Sequence, residues 1–442
     1  MSPVRNGFGP VTGHGLVLPP DSGEHARALK TAYARYLVGC SERFVNLAPE
    51  LPESLRSVHG RIVDLVCRAL QQNQRPMLAC FASPTVGTPL QCAELRPQLD
   101  GFSERIDKAV CDMLPHLLLE MALRGLIPQG HSVLWEQGGP RLACLALGGE
   151  LIAPAGSAAL RFSSSHLSAI AGATELARLS LDQDALTRLI AGDGGGFGFE
   201  RCYWRTGKVA RLATIDRNPV AAFEAHPDKA GNHIDLGGRS REEWVRVLDE
   251  AFGLVEQFMP GEFAEMGTLL HEIVPVGYDE VRHLSASYRE AVGTVYMTLH
   301  PNVMTMTEAV IHEFQHNKFN VSAYSADYLS NAFAPLYKSP VRPDPRPLWG
   351  IALAVHAFLP VAELYRRMRD AGHPWAVSAE FQRRMSDIDL KNHEGMEMLR
   401  AHAQLTPAGR AMFDELEALE RRHLDDRSAR GQENTPTDIH PV

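Results

Sequence analysis

The residues best suited to chemistry are His312, Glu313 and His316, which form an H-E-x-x-H pattern. On a helix, residues four apart project from the same face, so the two imidazoles can take adjacent positions on one metal ion. Glu313 lies about 100° further around the helix and can approach a metal-bound water. The pattern therefore predicts a metal centre with His312 and His316 as ligands and Glu313 as its catalytic carboxylate.

The sequence around this motif favours a helix that follows a strand. Thr305 and Glu308 have the spacing of a capping box, which predicts a helix start just before the motif. Residues 294–299 form a strand-like run immediately upstream. A strand followed by a helix bearing the motif is typical of zincin-like sites. By analogy with zincins, we expect this strand to be an edge strand that binds an extended peptide by strand addition.

Two histidines are too few for a catalytic metal, which usually has three protein ligands and an open position. The metzincin extension needs a histidine six residues after the motif, where this chain has Ser322, so that subclass is excluded. We expect His356 to be the third ligand, because it lies in an apolar helical run over residues 348–368. Asp327 and Glu363 are the carboxylate alternatives, and a core histidine bonded to a neighbour is the competing interpretation of His356.

Composition narrows the class of protein. The chain has 442 residues, 45% of them hydrophobic and 22% charged, with a net charge of -9. The high hydrophobic content predicts a folded chain. The negative net charge argues against nucleic-acid binding, since nucleic-acid-binding proteins are usually basic. Its seven cysteines form no C-x-x-C pair, which indicates reduced thiols. No signal-peptide pattern or membrane-length apolar run is present, so we predict a cytoplasmic protein without a membrane partner.

The distribution of apolar residues predicts an α+β fold that is mostly helical, with a zincin-like helix and adjoining antiparallel strands. We expect one integrated unit with four parts: an N-terminal helical region (1–125), a mixed region (126–300), a helical metal-site region (301–425) and a disordered tail (426–442). Helices are predicted over residues 24–47, 55–70, 104–126, 167–191, 242–259, 305–317 and 348–368, and a further one from Thr406-Pro407.

Strands and turns are predicted between these helices. Residues 84–89 are expected to form a loop. Two hairpins are expected, one joining 132–136 to 141–146 and one joining 199–205 to 208–213 through Thr206-Gly207.

Beyond the motif, several blocks of the chain are similar to one known family. They are residues 83–88, residues 216–237, the motif with its following Asn317-Lys318, and residues 337–347 leading into the helix with His356. In this order they resemble the bacterial HExxH-motif peptide-modification family associated with ribosomally made peptide natural products. The resemblance extends to about residue 370. It implies an iron(II)- and 2-oxoglutarate-dependent oxygenase that hydroxylates the β-carbon of a residue in a ribosomally synthesised precursor peptide.

Such an oxygenase needs a cation for the distal carboxylate of 2-oxoglutarate, ideally an arginine that binds it through two hydrogen bonds. Arg346 is our first candidate, followed by Arg342 and Lys338, which stand between the motif and the His356 helix. Surface charges in a proline-rich loop are the competing interpretation. Glu313 would then lie beside the metal ligands, or be a ligand itself in place of one histidine.

Two other functions fit the same motif. One is a zinc metallopeptidase in which Glu313 is the general base. The other is a peptide-binding protein without catalytic activity, whose N-terminal helices hold a leader peptide.

Overall fold

Helices dominate the computed structural model, which describes residues 15–21, 27–95, 101–137, 141–222, 231–324 and 326–430. Helix accounts for 54% and strand for 16%, so the predicted α+β, mostly helical class is confirmed. The other residues lie outside the described residues. They include most of the expected tail and residues 223–230 of the 216–237 block.

The N-terminal region is helical, as predicted. Its helices are α1 (Arg27–Val45), α2 (Glu53–Gln72), α3 (Gln74–Phe81), α4 (Pro84–Cys92) and α5 (Ser103–Leu123). The loop predicted over residues 84–89 is wrong, because these residues form the start of α4. Pro84 stands in the first turn of this helix, where the missing proline N–H has no partner to lose.

The middle of the chain contains two small antiparallel sheets and one larger mixed sheet. Its elements are β1 (Ser132–Trp135), β2 (Arg141–Cys144), β3 (Gly149–Ile152), β4 (Ala159–Ser163), β5 (His166–Ala171), β6 (Thr174–Ser180), α6 (Gln183–Ile190), β7 (Gly198–Arg201), β8 (Tyr203–Thr206) and β9 (Ala210–Ala213). The small sheets have the strand orders β1-β4-β5-β6 and β2-β3-β7.

Two predictions for this region are wrong and one is confirmed. No hairpin joins β1 to β2, because β1 pairs with β4 and β2 with β3. The helix predicted over residues 167–191 is instead the β5–β6 hairpin followed by α6. Gly172, with φ of 58°, provides the left-handed turn between β5 and β6. The β8–β9 hairpin across Thr206-Gly207 is confirmed.

The larger sheet lies next to the motif. After α7 (Arg241–Phe258) and α8 (Pro260–Leu269), the chain forms β10 (Glu272–Tyr278), β11 (Ser285–Ala286) and β12 (Thr294–Leu299). The strand order is β11-β12-β10-β9-β8, with parallel β9, β10 and β12 between antiparallel ends. Thus β12 is not the edge strand that the sequence suggested. Every residue of β12 is buried, and β11 covers its outer side.

The motif helix is α9 (Val303–Ser322), which packs against α1 and α7 as well as the later helix α10 (Leu348–Asp370). It begins two residues earlier than predicted. The N-cap is Asn302, whose side chain accepts a hydrogen bond from the Met304 N–H at 2.8 Å. Thr305 lies inside the helix, so the predicted capping box is wrong. Asn and Thr both favour N-caps, and residues 302–305 offer both.

The chain ends in helices. After the short pair β13 (Leu336–Tyr337) and β14 (Arg346–Pro347) come α10, α11 (Ala379–His402) and α12 (Pro407–Ala429). Thr406 caps α12 as predicted, accepting from the Gly409 N–H. Because α12 continues to Ala429, residues 426–429 of the expected disordered tail are helical. In the described residues, α10 alone has the length and hydropathy of a membrane span, and 67% of that window is buried within the fold.

Candidate metal centre

His312, Glu313 and His316 meet on α9 as the motif predicts. One ligand atom from each lies within 4.8 Å of the others, and the two imidazole centroids are 4.3 Å apart. Both imidazoles are half-buried, whereas Glu313 is buried. Within the described ranges, no other group of three or more His, Cys, Asp or Glu side chains comes this close together.

Glu313 is held in place from the neighbouring strand. The Ser285 hydroxyl of β11 donates to Oε1 at 2.7 Å, and Oε2 lies 3.5 Å from His316 Nδ1. Burial by itself would raise the pKa of this carboxyl, but His316, with smaller effects of His312 and Ser285, lowers the pKa to about 2. Glu313 is therefore an anion that faces two imidazoles.

Several buried polar atoms around this group have no hydrogen-bond partner. They are His312 Nδ1, Glu313 Oε2 and His283 Nε2. Buried polar atoms are normally satisfied, and imidazole nitrogens and carboxylate oxygens are the usual ligands of zinc and non-haem iron. The donor set therefore fits a divalent transition metal.

His356 lies elsewhere. Its Nε2 is 3.1 Å from the Leu16 carbonyl oxygen, to which it donates, and its ring packs on Phe319 with centroids 5.1 Å apart. Burial, with a smaller effect of Lys318, lowers the pKa of His356 to about 3. In this structure His356 is a core histidine bonded to the N-terminal segment, and it is not part of the His–Glu–His group.

The reason is the rotational phase of α10. Phe358 contacts His312, with ring centroids 4.5 Å apart. His356 comes two residues earlier, about 200° around α10, and packs on Phe319, which lies about two turns beyond His312 along α9. The apolar run that suggested burial carries no information about which buried residue faces the motif.

The two carboxylate alternatives are also outside the group. Glu363 accepts from Arg367 Nε at 2.8 Å and lies 3.0 Å from His423 Nε2. Asp327 lines a separate pocket with Ser330 and Trp349.

Two of the predicted 2-oxoglutarate cations, Arg342 and Arg346, share one carboxylate. Arg342 Nε lies 3.0 Å from Asp344 Oδ1, and Arg346 Nε lies 2.9 Å from Asp344 Oδ2. Lys338 is exposed in the same loop, between β13 and β14. No described hydrogen bond or ion pair joins any of the three to His312, Glu313 or His316.

A cation that sequence reasoning missed lies closer to the motif. Arg384 of α11 interacts electrostatically with His312. It binds Glu308, one turn before His312, through Nε and Nη2 at 3.0 and 2.6 Å. Burial opposes the charge of Arg384, but Glu308 outweighs it and raises the pKa of the guanidinium. Nothing in the sequence marks this arginine, because it meets α9 only in the tertiary fold.

A cleft of about 890 Å³ lies away from the motif, between β8 and α7. It is lined by Arg201, Arg205, Arg211 and Trp204 among others. The chemistry of the His–Glu–His group, rather than cleft size, identifies the candidate centre.

No protein-family model and no curated protein matches the chain.

Proposed function

We propose that the protein is a metal-dependent enzyme whose centre is His312, Glu313 and His316. The observation that supports this most strongly is the meeting of their ligand atoms within 4.8 Å, beside buried nitrogen and oxygen atoms without partners. An unpaired buried group is costly, and a bound cation would satisfy several of these atoms at once.

The proposed reaction is iron(II)- and 2-oxoglutarate-dependent hydroxylation of the β-carbon of a residue in a ribosomally made peptide. The resemblance of the sequence blocks supports this class. When bound, iron(II) would supply redox chemistry and open positions for 2-oxoglutarate and oxygen. His312 and His316 would hold it, and Glu313 would orient His316 through its charge.

The substrate peptide has a suitable neighbour in β11. This strand is at the edge of the larger sheet, and its Ser285 contacts Glu313. An extended peptide added beside β11 would run past the metal centre. The edge strand proposed for peptide binding is therefore β11 instead of β12.

The proposed cations for the distal carboxylate of 2-oxoglutarate are still Arg346, Arg342 and Lys338. To bind that carboxylate, Arg342 and Arg346 must either break their ion pairs with Asp344 or bind both carboxylates at once. Arg384 is the additional candidate, since it lies within electrostatic range of His312 and binds Glu308 one turn earlier on α9.

A zinc peptidase is the second candidate, and the geometry of Glu313 favours it. Ser285 fixes Oε1, whereas Oε2 has no hydrogen-bond partner and lies on the side of the two imidazoles. A general base that accepts a proton from metal-bound water needs a carboxylate oxygen in this position.

Anaerobic reconstitution with iron(II), followed by a 2-oxoglutarate titration, tests the proposal. An oxygenase site gives a weak visible charge-transfer band that saturates with 2-oxoglutarate. The band should vanish in His312→Ala and persist in His393→Ala, a control at a histidine on α11 that pairs with Glu420. Stoichiometric zinc binding without this band would favour the peptidase.

A further inference from the structure

The segment before β11 brings another histidine to the motif. Leu284 extends the β11–β12 ladder, since its carbonyl accepts from the Thr298 N–H at 2.9 Å. Side chains alternate between the faces of an extended strand, so His283 and Ser285 share one face, with Cα atoms about 6.6 Å apart. Because Ser285 donates to Glu313, that face is the one that looks onto α9.

The His283 ring has one nitrogen that could bind a metal. Its Nε2 is buried and has no hydrogen-bond partner. The Thr298 backbone of the neighbouring strand β12 lies beside the ring, where Nδ1 could donate to it while Nε2 stays unpartnered. Metal-binding histidines commonly donate their second nitrogen to a backbone carbonyl in this way, which fixes the tautomer and leaves the other nitrogen as a ligand.

His283 also lies within electrostatic range of the motif. It interacts with His312 and with Glu313 across the interface between strand and helix. Among the third ligands considered from the sequence, His356 interacts with His316, but its Nε2 is already bonded to the Leu16 carbonyl. Asp327 and Glu363 lie elsewhere.

We propose that His283 is the third protein ligand of the metal centre, together with His312 and His316. This inference rests on the proposed metal site. Three imidazoles would leave positions open for substrate and water, as catalytic sites require. His283 lies outside the group whose atoms are all within 4.8 Å, so its ring must turn toward α9 when the metal binds. The metal would then tie the edge of the sheet, where the peptide is proposed to bind, to the motif helix.

Metal affinity tests this inference without any measurement of activity. The wild type, His283→Ala and His300→Ala are titrated with zinc in competition with a chromophoric chelator. His300 is the matched control, because it is at the same end of the sheet but its Nδ1 accepts from the Asn302 N–H at 3.0 Å. We expect His283→Ala to bind zinc more than about 100-fold more weakly, beyond the usual effect of residues that only support a ligand. We expect His300→Ala to bind zinc within a few-fold of the wild type.

A second measurement needs no variant. X-ray absorption of the zinc-loaded wild type should show three imidazole ligands. Two imidazoles, or unchanged zinc affinity in His283→Ala, would overturn the assignment while the metal site itself stands. Wild-type protein that binds no zinc or iron(II) would overturn both the metal site and this inference. A third outcome is that His283→Ala binds zinc weakly, His300→Ala binds it normally, and the wild type shows no 2-oxoglutarate band. This outcome would support His283 as a ligand and count against the oxygenase.

Discussion

Replacing Lys318 with methionine should destabilise the fold strongly, because a buried carboxylate depends on this cation. The Lys318 side chain is 1% exposed, and its Nζ lies 2.6 Å from Oε2 of Glu265, whose side chain is 0% exposed. Nζ also donates to the Val17 carbonyl at 3.1 Å. The ion pair therefore joins α8 to α9, and the bond to Val17 joins the N-terminal segment to α9. Both lie on the side of α9 away from His312 and His316.

Removing one member of such a pair leaves an unpaired buried charge, which costs about 3–5 kcal/mol. The variant Lys318→Met should lose this much free energy of unfolding at pH 8. Burial raises the pKa of Glu265, and Lys318 is the main group that lowers it. Glu265 in the variant should therefore take up a proton more readily, so the loss should shrink toward pH 5. The double variant Lys318→Met/Glu265→Met has no charge to bury and should unfold within about 1 kcal/mol of the wild type.

Glu262 provides a matched control beside the same lysine. Burial, with a smaller effect of Glu265, raises the pKa of Glu262 to about 8 despite the opposing effect of Lys318. Glu262 should thus be largely protonated at pH 7, and it accepts from Gln315 Nε2 at 2.5 Å. Glutamine resembles a protonated glutamate in shape, so Glu262→Gln should change the free energy of unfolding by less than about 1 kcal/mol.

Urea denaturation followed by tryptophan fluorescence, at pH 5 and pH 8, measures all four proteins. A loss below about 1 kcal/mol in Lys318→Met would refute the reasoning. So would a double variant as unstable as the single one, because the penalty would then come from packing instead of charge.

Three further predictions concern other parts of the molecule. The His116 ring bonds two backbone groups in its neutral form, and burial lowers the pKa of His116 to about 4, below its ordinary 6.5. The unfolded chain protonates His116 more readily than the folded one, so the free energy of unfolding should fall by on the order of 3 kcal/mol between pH 6.5 and pH 4. In urea titrations of His116→Gln, the free energy of unfolding should fall less over the same pH range. Arg366→Met should lower the free energy of unfolding in urea by about 3–5 kcal/mol. It leaves buried Asp389 without the two hydrogen bonds, of 3.0 and 2.8 Å, that join α10 to α11. A loss near zero would show that the pair contributes little to stability. Zinc at 100 times its dissociation constant should stabilise the wild type by about 2.7 kcal/mol in thermal unfolding and leave His312→Ala unchanged.

The motif helix and the fold class could be predicted because their signals are local and periodic. The H-E-x-x-H spacing places His312 and His316 on one face of any helix, and α9 brings them together. The β8–β9 hairpin and the cap at Thr406 likewise depend on neighbouring residues. These features need no knowledge of the tertiary fold.

The rest of the site depends on contacts that are distant in the chain. Choosing His356 required the phase of α10 relative to α9, and the structure turns Phe358 toward His312 instead. Nothing in the sequence marks His283 as a ligand, because only the β11–β12 pairing carries it to the motif. Arg384 comes within electrostatic range of His312 from α11, which again depends on the tertiary fold.

The error over residues 167–191 has a different physical origin. Leucines and alanines recur there at spacings compatible with a helix, and helix propensity favours both residues. The segment nevertheless forms β5 and β6, in which Ala169, Ala177 and Leu179 are buried. Tertiary packing overrode local propensity, and Gly172 was the one local signal for a turn.

The most direct test of the metal centre is the metal content of the purified chain after saturation and removal of free ions. Wild-type protein loaded anaerobically with iron(II), or with zinc, is passed through a desalting column and analysed by mass spectrometry for metals. We predict one ion per chain in the wild type and none in His312→Ala/His316→Ala, with both proteins folded by circular dichroism. Absence of metal in the wild type, or an equal content in the double variant, would contradict a metal centre at His312, Glu313 and His316.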